Sequence, residues 1–212
     1  MTATTLTQFK RHPERGSHDR AIIDAILDTA LVAHVAFLRH GKPSVIPTLA
    51  VRLDDEVIIH GSPASALLRA AKAGTDLCLT VTHIDGLVLA RSAFNHSANY
   101  RSVLVYGRGR WLEGDEKLAA MEALVEKIAP GRLPHLRPLT RNEIAGTAVV
   151  AIALTDASAK VRRGQPVDED ADYALPIWAG VVPIETRLGA PTSDPRNLAG
   201  VGLPDHVAAL SW

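Results

Sequence analysis

The 212-residue chain is 47% hydrophobic and 22% charged, but only 4% aromatic. Lys+Arg and Asp+Glu both number 23, so no long-range field attracts nucleic acid or a membrane surface, and few aromatic faces are available to stack unpaired bases. The single cysteine, Cys78, excludes an intramolecular disulfide and reads as a buried thiol in a reducing cytoplasm.

The first 18 residues are polar and read as an extended arm, with no apolar stretch of the kind a secretory signal needs. No later run approaches the ~20 apolar residues of a membrane-spanning helix. Asp19 is placed to cap a helix whose Ile22, Ile23, Ile26, Leu27 and Ala30 share one face. Residues 31–39 and 44–53 are β-rich runs around His40-Gly41-Lys42-Pro43, which predicts a hairpin. Asp54-Asp55 turns into a short strand over 56–61. Ser62 and Pro63 then suit the N-cap and first position of a helix that Gly74 ends.

A strand over 76–83 and another over 87–94 flank Asp85-Gly86, a strong hairpin signal. The long strand over 100–113 contains Gly107 and Gly109, which suggest a bulge or close approach. Asp115 can cap a helix with Leu118, Met121, Leu124, Val125 and Ile128 on one stripe, stopped by Pro130-Gly131. A short helix after Thr140, a strand over 147–154, an exposed charged loop over 162–173 and an apolar run over 175–185 follow. The pattern defines three regions: the arm 1–18, a domain 19–185, and an irregular tail 186–212. Strands fall mostly in hairpins, so the fold class is mainly β with helices (α+β), an antiparallel barrel with peripheral helices.

The segment His60-Gly61-Ser62-Pro63-Ala64-Ser65 lies where a strand passes into a helix. Unpaired amides and the two hydroxyls there suit a phosphate; the alternative is that Ser62 only caps the helix and Ser65 faces water. Arg91-Ser92 and Tyr100-Arg101-Ser102 sit on neighbouring strands, and the guanidinium fork suits phosphate oxygens. Those arginines converge on the same anion only if their strands border the helix start, and otherwise lie along the surface. His34, His60, His83 and His96 fall near strand ends without metal-ligand spacing, so no metal site is expected. The chain has no G-x-S-x-G, no Walker A loop and no G-x-G-x-x-G, which disfavours the dinucleotide folds.

Taken together, VIPTLAVRLDDEVIIHGSPAS (45–65) and CLTVTHIDGLVLARSAFNHSANYRSVLVYGRGRWL (78–112) resemble the flavin-nucleotide-binding branch of the pyridoxamine 5′-phosphate oxidase superfamily, which includes nitroimidazole-resistance reductases. SAKVRRG (158–164) and WAGVVPI (178–184) resemble its C-terminal part. The resemblance implies an FMN-binding split β-barrel that forms a homodimer with the cofactor at the interface. It places the phosphate at His60, Gly61, Ser62 and Ser65, with further contacts from Arg91, Ser92, Tyr100 and Arg101. Pro47, Thr48 and Leu49 would approach the flavin ring with backbone groups, and Trp178 would come from the partner. Relatives often carry Ser-Arg or Ser-Arg-Lys at the helix start, whereas this chain has Ser65-Ala66, and Arg69 is placed to compensate one turn later. The implied activity is an oxidoreductase passing hydride or electrons to a small organic acceptor, without an assignable catalytic residue; His34, His60 or His96 could supply a proton. A non-catalytic flavin carrier or sensor, and a haem- or deazaflavin-binding split barrel, are the alternatives.

Overall fold

The computed structural model describes residues 4–210. The arm does not stay free: Thr7 is buried, Pro13–Arg15 makes one 3-10 turn, and β1 (Gly16–Ser17) pairs with a late strand, β8 (Asp156–Arg162). Helix α1 (Arg20–Thr29) is capped by Asp19, whose side chain accepts from the Ala21 amide, and its Ile23, Ile26 and Leu27 are buried. Strands β2 (Val32–Arg39) and β3 (Lys42–Leu53) form the expected hairpin. His40 and Gly41 both hold positive φ, at 51° and 73°, the geometry a two-residue turn needs to match strand twist. Asp54-Asp55 is a second two-residue turn into β4 (Glu56–Gly61).

Helix α2 (Ala66–Lys72) starts later than its sequence suggests. Its N-cap is Ser65, whose Oγ accepts from the Leu68 amide at 3.2 Å, and Ser62 and Pro63 lie in the preceding turn. Asp85-Gly86 is not a hairpin turn either. Strand β5 (Asp76–Leu89) runs straight through it with a register shift between Ile84 and Gly86. A Cβ on Gly86 would lie 3.0 Å from both the Val181 side chain and the Val182 carbonyl, so this glycine lets β9 (Gly180–Pro183) approach β5. The reversal comes instead after Ala90, through a 3-10 turn at Ala93–Asn95, into β6 (Ser97–Trp111).

Helix α3 (Gly114–Ile128) begins one residue ahead of Asp115, which lies in its first turn, and its flanking Glu113 makes no side-chain cap. The short helix α4 (Arg141–Gly146) has a complete capping box between Thr140 and Glu143. After β7 (Ala148–Ala153) comes β8, which hydrophobicity alone misses because its inward residues are Ala157 and Ala159. The charged loop after it is not wholly exposed: Arg162 and Asp168 are buried. Only Gly180–Pro183 of the run 175–185 is strand, and the tail holds one short helix, α5 (Asp205–Ala208).

All pairings are antiparallel, and six strands close a ring in the order β2-β3-β4-β7-β6-β5. Strand β8 extends the outer half of β6, and β9 extends the outer half of β5. Both β5 and β6 therefore leave the ring to pair elsewhere, which makes this a split barrel. Val35, Ile59, Leu79, Val105, Val150 and Ile152 fill its interior together with Ile23 of α1 and Leu67 of α2. Outside, Val51, Ile58, Leu112 and Val149 pack beneath Ala120 and Leu124 of α3. The face of β3, β2, β5 and β6 turned away from the interior carries no helix, and Val32, Leu38, Val45 and Leu104 are exposed there. Cys78 also lies on this side, across from Tyr106, half-buried rather than buried as its sequence setting suggests.

Candidate functional site

The exposed sheet face is a set of in-register rows. Pro47 pairs with His34, His34 with Thr80, Thr80 with Leu104, and Leu104 with Ser158. The next row joins Val45, Ala36, Cys78 and Tyr106. Apolar and small residues dominate, with Val45 58% exposed. This partly apolar surface, open at its Pro47, His34 and Val45 end, suits a covering partner or ligand.

At one side of this face β3 meets β4 and the turn into α2. The Thr48 hydroxyl donates to the His60 carbonyl at 3.4 Å, which ties the two strands beside Leu49 and Gly61. Turn 62–65 is closed by the Ser65 amide donating to the Ser62 carbonyl at 2.9 Å. The Ser62 hydroxyl accepts from the Ala64 amide at 3.2 Å. Both serine oxygens are therefore used as acceptors, while each hydroxyl proton is left to donate. Exposed Arg69, one turn into α2, makes no ion pair among the described residues. The His60 Nδ1 is buried with no hydrogen-bond partner, and burial lowers the ring's pKa, so the imidazole is held neutral. A buried ring nitrogen without a partner is costly alone and is relieved by a bound group that can pair with it.

The sequence-derived arginines are placed elsewhere. Arg91 follows β5 at the strand end opposite α2, and its Nη1 donates to Asp168 at 3.0 Å. Its backbone amide also donates to Asp168, and its guanidinium lies 4.7 Å from the Tyr173 ring centroid. Burial works against the Asp168 charge, but the hydrogen bonds from Arg91, Asn95 and the Ser92 backbone outweigh it and leave the carboxyl below its ordinary pKa. The Ser92 hydroxyl caps the following 3-10 turn. Arg101 is held by Asp85, its Nε donating to Oδ1 at 3.2 Å and Oδ2 at 2.9 Å and its Nη2 to Oδ1 at 2.9 Å, and the Asp85 pKa is lowered chiefly by that contact. Within one chain, then, neither arginine is paired with the 60–65 turn, and each neutralises a carboxylate at the β5–β6 extension. Tyr100 is half-buried between Ile84 and Arg162. Trp178 is 68% exposed and lies over Gly180, where a Cβ would come within 2.9 Å of its ring.

Together, Pro47, Thr48, Leu49, His60, Gly61, Ser62, Ser65 and Arg69 form one contiguous region. Arg91, Ser92, Tyr100, Arg101 and Trp178 lie on or beside the outer parts of β5, β6 and β9. Asp168 is the residue sequence reasoning missed, since a contact spanning 77 positions leaves no local signal. Among the described residues no group of three or more metal-ligating side chains occurs.

A six-stranded antiparallel ring with strand extensions, one bare apolar face and a strand-to-helix turn at its border is the arrangement of the flavin-binding split barrels. The chain belongs to the family described as Pyridoxamine 5′-phosphate oxidase, whose profile matches residues 19–161. Over 97% of its length it is similar, at 40% identity and a TM-score of 0.92, to 96% of the flavocytochrome Anf3 of Azotobacter vinelandii. A FAD- and haem-binding protein of Mycobacterium smegmatis is also 40% identical, with a TM-score of 0.88 over 92% of this chain and 96% of that one. A candidate 5-nitroimidazole antibiotic resistance protein of Bacteroides thetaiotaomicron shares the fold, at 18% identity and a TM-score of 0.58 over 69% and 86% of the two chains. No curated protein sequence gives a significant match.

Proposed function

We propose that this chain is a flavocytochrome-type redox protein that binds FAD and a haem, in place of the FMN expected from its sequence. The observation that carries this reading is the 40% identity to a flavocytochrome along 97% of the chain. The second relative of equal identity, described as binding FAD and haem, supports it.

The residues present fit a flavin. Pro47, Leu104, Val45 and Ala36 offer apolar surface to a flavin, interrupted by His34 and Thr80, and the β3 backbone beside Thr48 offers polar groups at its edge. The 62–65 turn supplies hydroxyl protons, Arg69 a cation, and His60 a neutral ring nitrogen without a partner. For the haem, a neutral imidazole nitrogen is the requirement. His60 meets it where its Nδ1 is not taken by the flavin, and His206 meets it through Nδ1, because its Nε2 lies 3.3 Å from Arg132 Nη1; desolvation and neighbouring His135 and Arg132 lower the His206 pKa. His206 stacks on His135 with ring centroids 4.3 Å apart, which brings the tail back to the loop after α3. When bound, a flavin exchanges one or two electrons and a haem one. The protein's part is to hold the flavin against the sheet, keep His60 unprotonated, and shield the apolar wall from water.

The apolar wall is the surface we propose for a homodimer, with the flavin between the two copies and Trp178 and Arg101 approaching the partner's site. Burying it would remove the exposed Val32, Leu38, Val45 and Leu104 from water. Cofactor released from the purified protein should run as FAD on chromatography, and the protein should show flavin bands plus a Soret band. His60→Ala or His206→Ala should abolish or shift the Soret band, while flavin absorption stays in at least one of them. A protein that binds FMN alone and gives no Soret band after hemin titration refutes this reading and restores the oxidoreductase expectation.

A further inference from the structure

Arg162, the last residue of β8, is only 8% exposed, yet among the described residues it pairs with no carboxylate. Its Nη1 donates to Asn99 Oδ1, and Asn99 Nδ2 donates in turn to the Gly164 carbonyl at 3.1 Å, which orients the guanidinium. Its Nε and Nη2 have no hydrogen-bond partner among the described residues. A guanidinium does not shed its proton, so its burial is not relieved by neutralisation. Burial and the nearby charge of Arg15 both work against the Arg162 charge, and Tyr100 works the other way. Arg15 Nε lies 3.5 Å from Glu14 Oε1, an oxygen that also bonds His12. Two guanidinium charges therefore face a single carboxylate. A buried charge in excess is costly, and a bound anion relieves it.

The site lies on the sheet face turned away from the barrel interior, since the inward residues of β8 are Ala157 and Ala159. Arg162 pairs with Tyr100, and Tyr100 with Ile84. That row stands four residues along each strand from the row of Ser158, Leu104 and Thr80, roughly 13 Å away. Ile84 is 44% exposed, so the arginines border a partly apolar surface. A carboxylate is planar, carries one negative charge and meets the guanidinium fork with two oxygens. A dianionic phosphate would bring more negative charge than the two arginines leave unbalanced beside Glu14.

We propose that Arg162 and Arg15 bind the carboxylate of a small organic acid whose apolar body lies over Tyr100 and Ile84. The site does not depend on which cofactor the sheet face holds.

The test is a calorimetric titration of the full-length protein, with whatever cofactor it carries on purification, with phenylacetate at fixed ionic strength. Binding should saturate. Phenylacetamide, which lacks the charge, and inorganic phosphate should each bind about tenfold more weakly or worse. Arg162→Gln should weaken phenylacetate by about tenfold and leave the flavin content of the protein unchanged. Arg15→Gln, on the arm, should weaken it several-fold and serves where Arg162→Gln disturbs β8. Arg163→Gln, an exposed neighbour, should leave the affinity unchanged. No saturable binding to the unaltered chain, equal affinity for the amide or for phosphate, or full affinity in both Arg162→Gln and Arg15→Gln overturns the proposal. Loss of flavin together with loss of phenylacetate in Arg162→Gln assigns the charge to the cofactor and also overturns it. Saturable, Arg162-dependent binding in a protein that takes up no flavin upholds this site and refutes the flavin reading alone.

Discussion

His60 concentrates the physical chemistry of the site in one side chain. Its Nδ1 is buried without a partner, and desolvation lowers its pKa below the ordinary 6.5. In the unfolded chain the ring protonates as pH falls through about 6.5, whereas the folded ring resists until lower pH. The unfolded state thus binds more protons in that window, and folding stability is lost as pH drops from 6.5 toward the folded value. The thermal midpoint should fall between pH 7.5 and 5.5, and His60→Gln should flatten that fall; an unchanged slope would contradict the assignment. Bound flavin that pairs with Nδ1 should shift the same dependence. The sequence shows His60 beside a strand end but not that its nitrogen lacks a partner. Arg91 illustrates a long-range case: its residue type suits phosphate, and Asp168, with its side chain 0% exposed, takes its Nη1 from 77 positions away while its buried Nε has no partner.

At the scale of elements, α2 and β6 are fitted to each other through Gly109. A Cβ there would stand 2.5 Å from Val150 and 3.0 Å from Ala71 of α2. The sequence therefore marks this close approach through an in-strand glycine, while the partner that needs it emerges only from the fold. Gly109→Ala should displace α2, cost about 1–3 kcal/mol of stability and weaken flavin binding through the 62–65 turn; chemical denaturation and flavin titration check the two effects. Gly107→Ala, where the nearest atom would lie 3.3 Å away, should be milder in both. The β2–β3 and β3–β4 hairpins were legible from their turn residues. The N-cap of α2 was not, because Ser62 and Ser65 are equally good caps and only the turn closed by the Ser65 amide decides between them. Asp85-Gly86 misled for a related reason, since long-range contacts to Arg101 and β9 override a strong local turn signal.

Across the whole molecule, hairpin spacing identified an antiparallel barrel, and family motifs identified the split form. Ring closure through β5 and β2, and the short strand β1 held against β8, depend on pairings between distant segments and carry no local mark. The same is true of the arm, which is polar in sequence yet covers part of the sheet face. Among the described residues no helix is long and apolar enough to cross a membrane. We propose the bare face running from Pro47 across His34 and Thr80 to Leu104 as the flavin wall. A crystal structure of the protein loaded with FAD tests this most directly: the isoalloxazine should lie against that row, its phosphates beside the 62–65 turn. A flavin bound on the α3 side of the barrel, with the row still facing solvent, would overturn this placement.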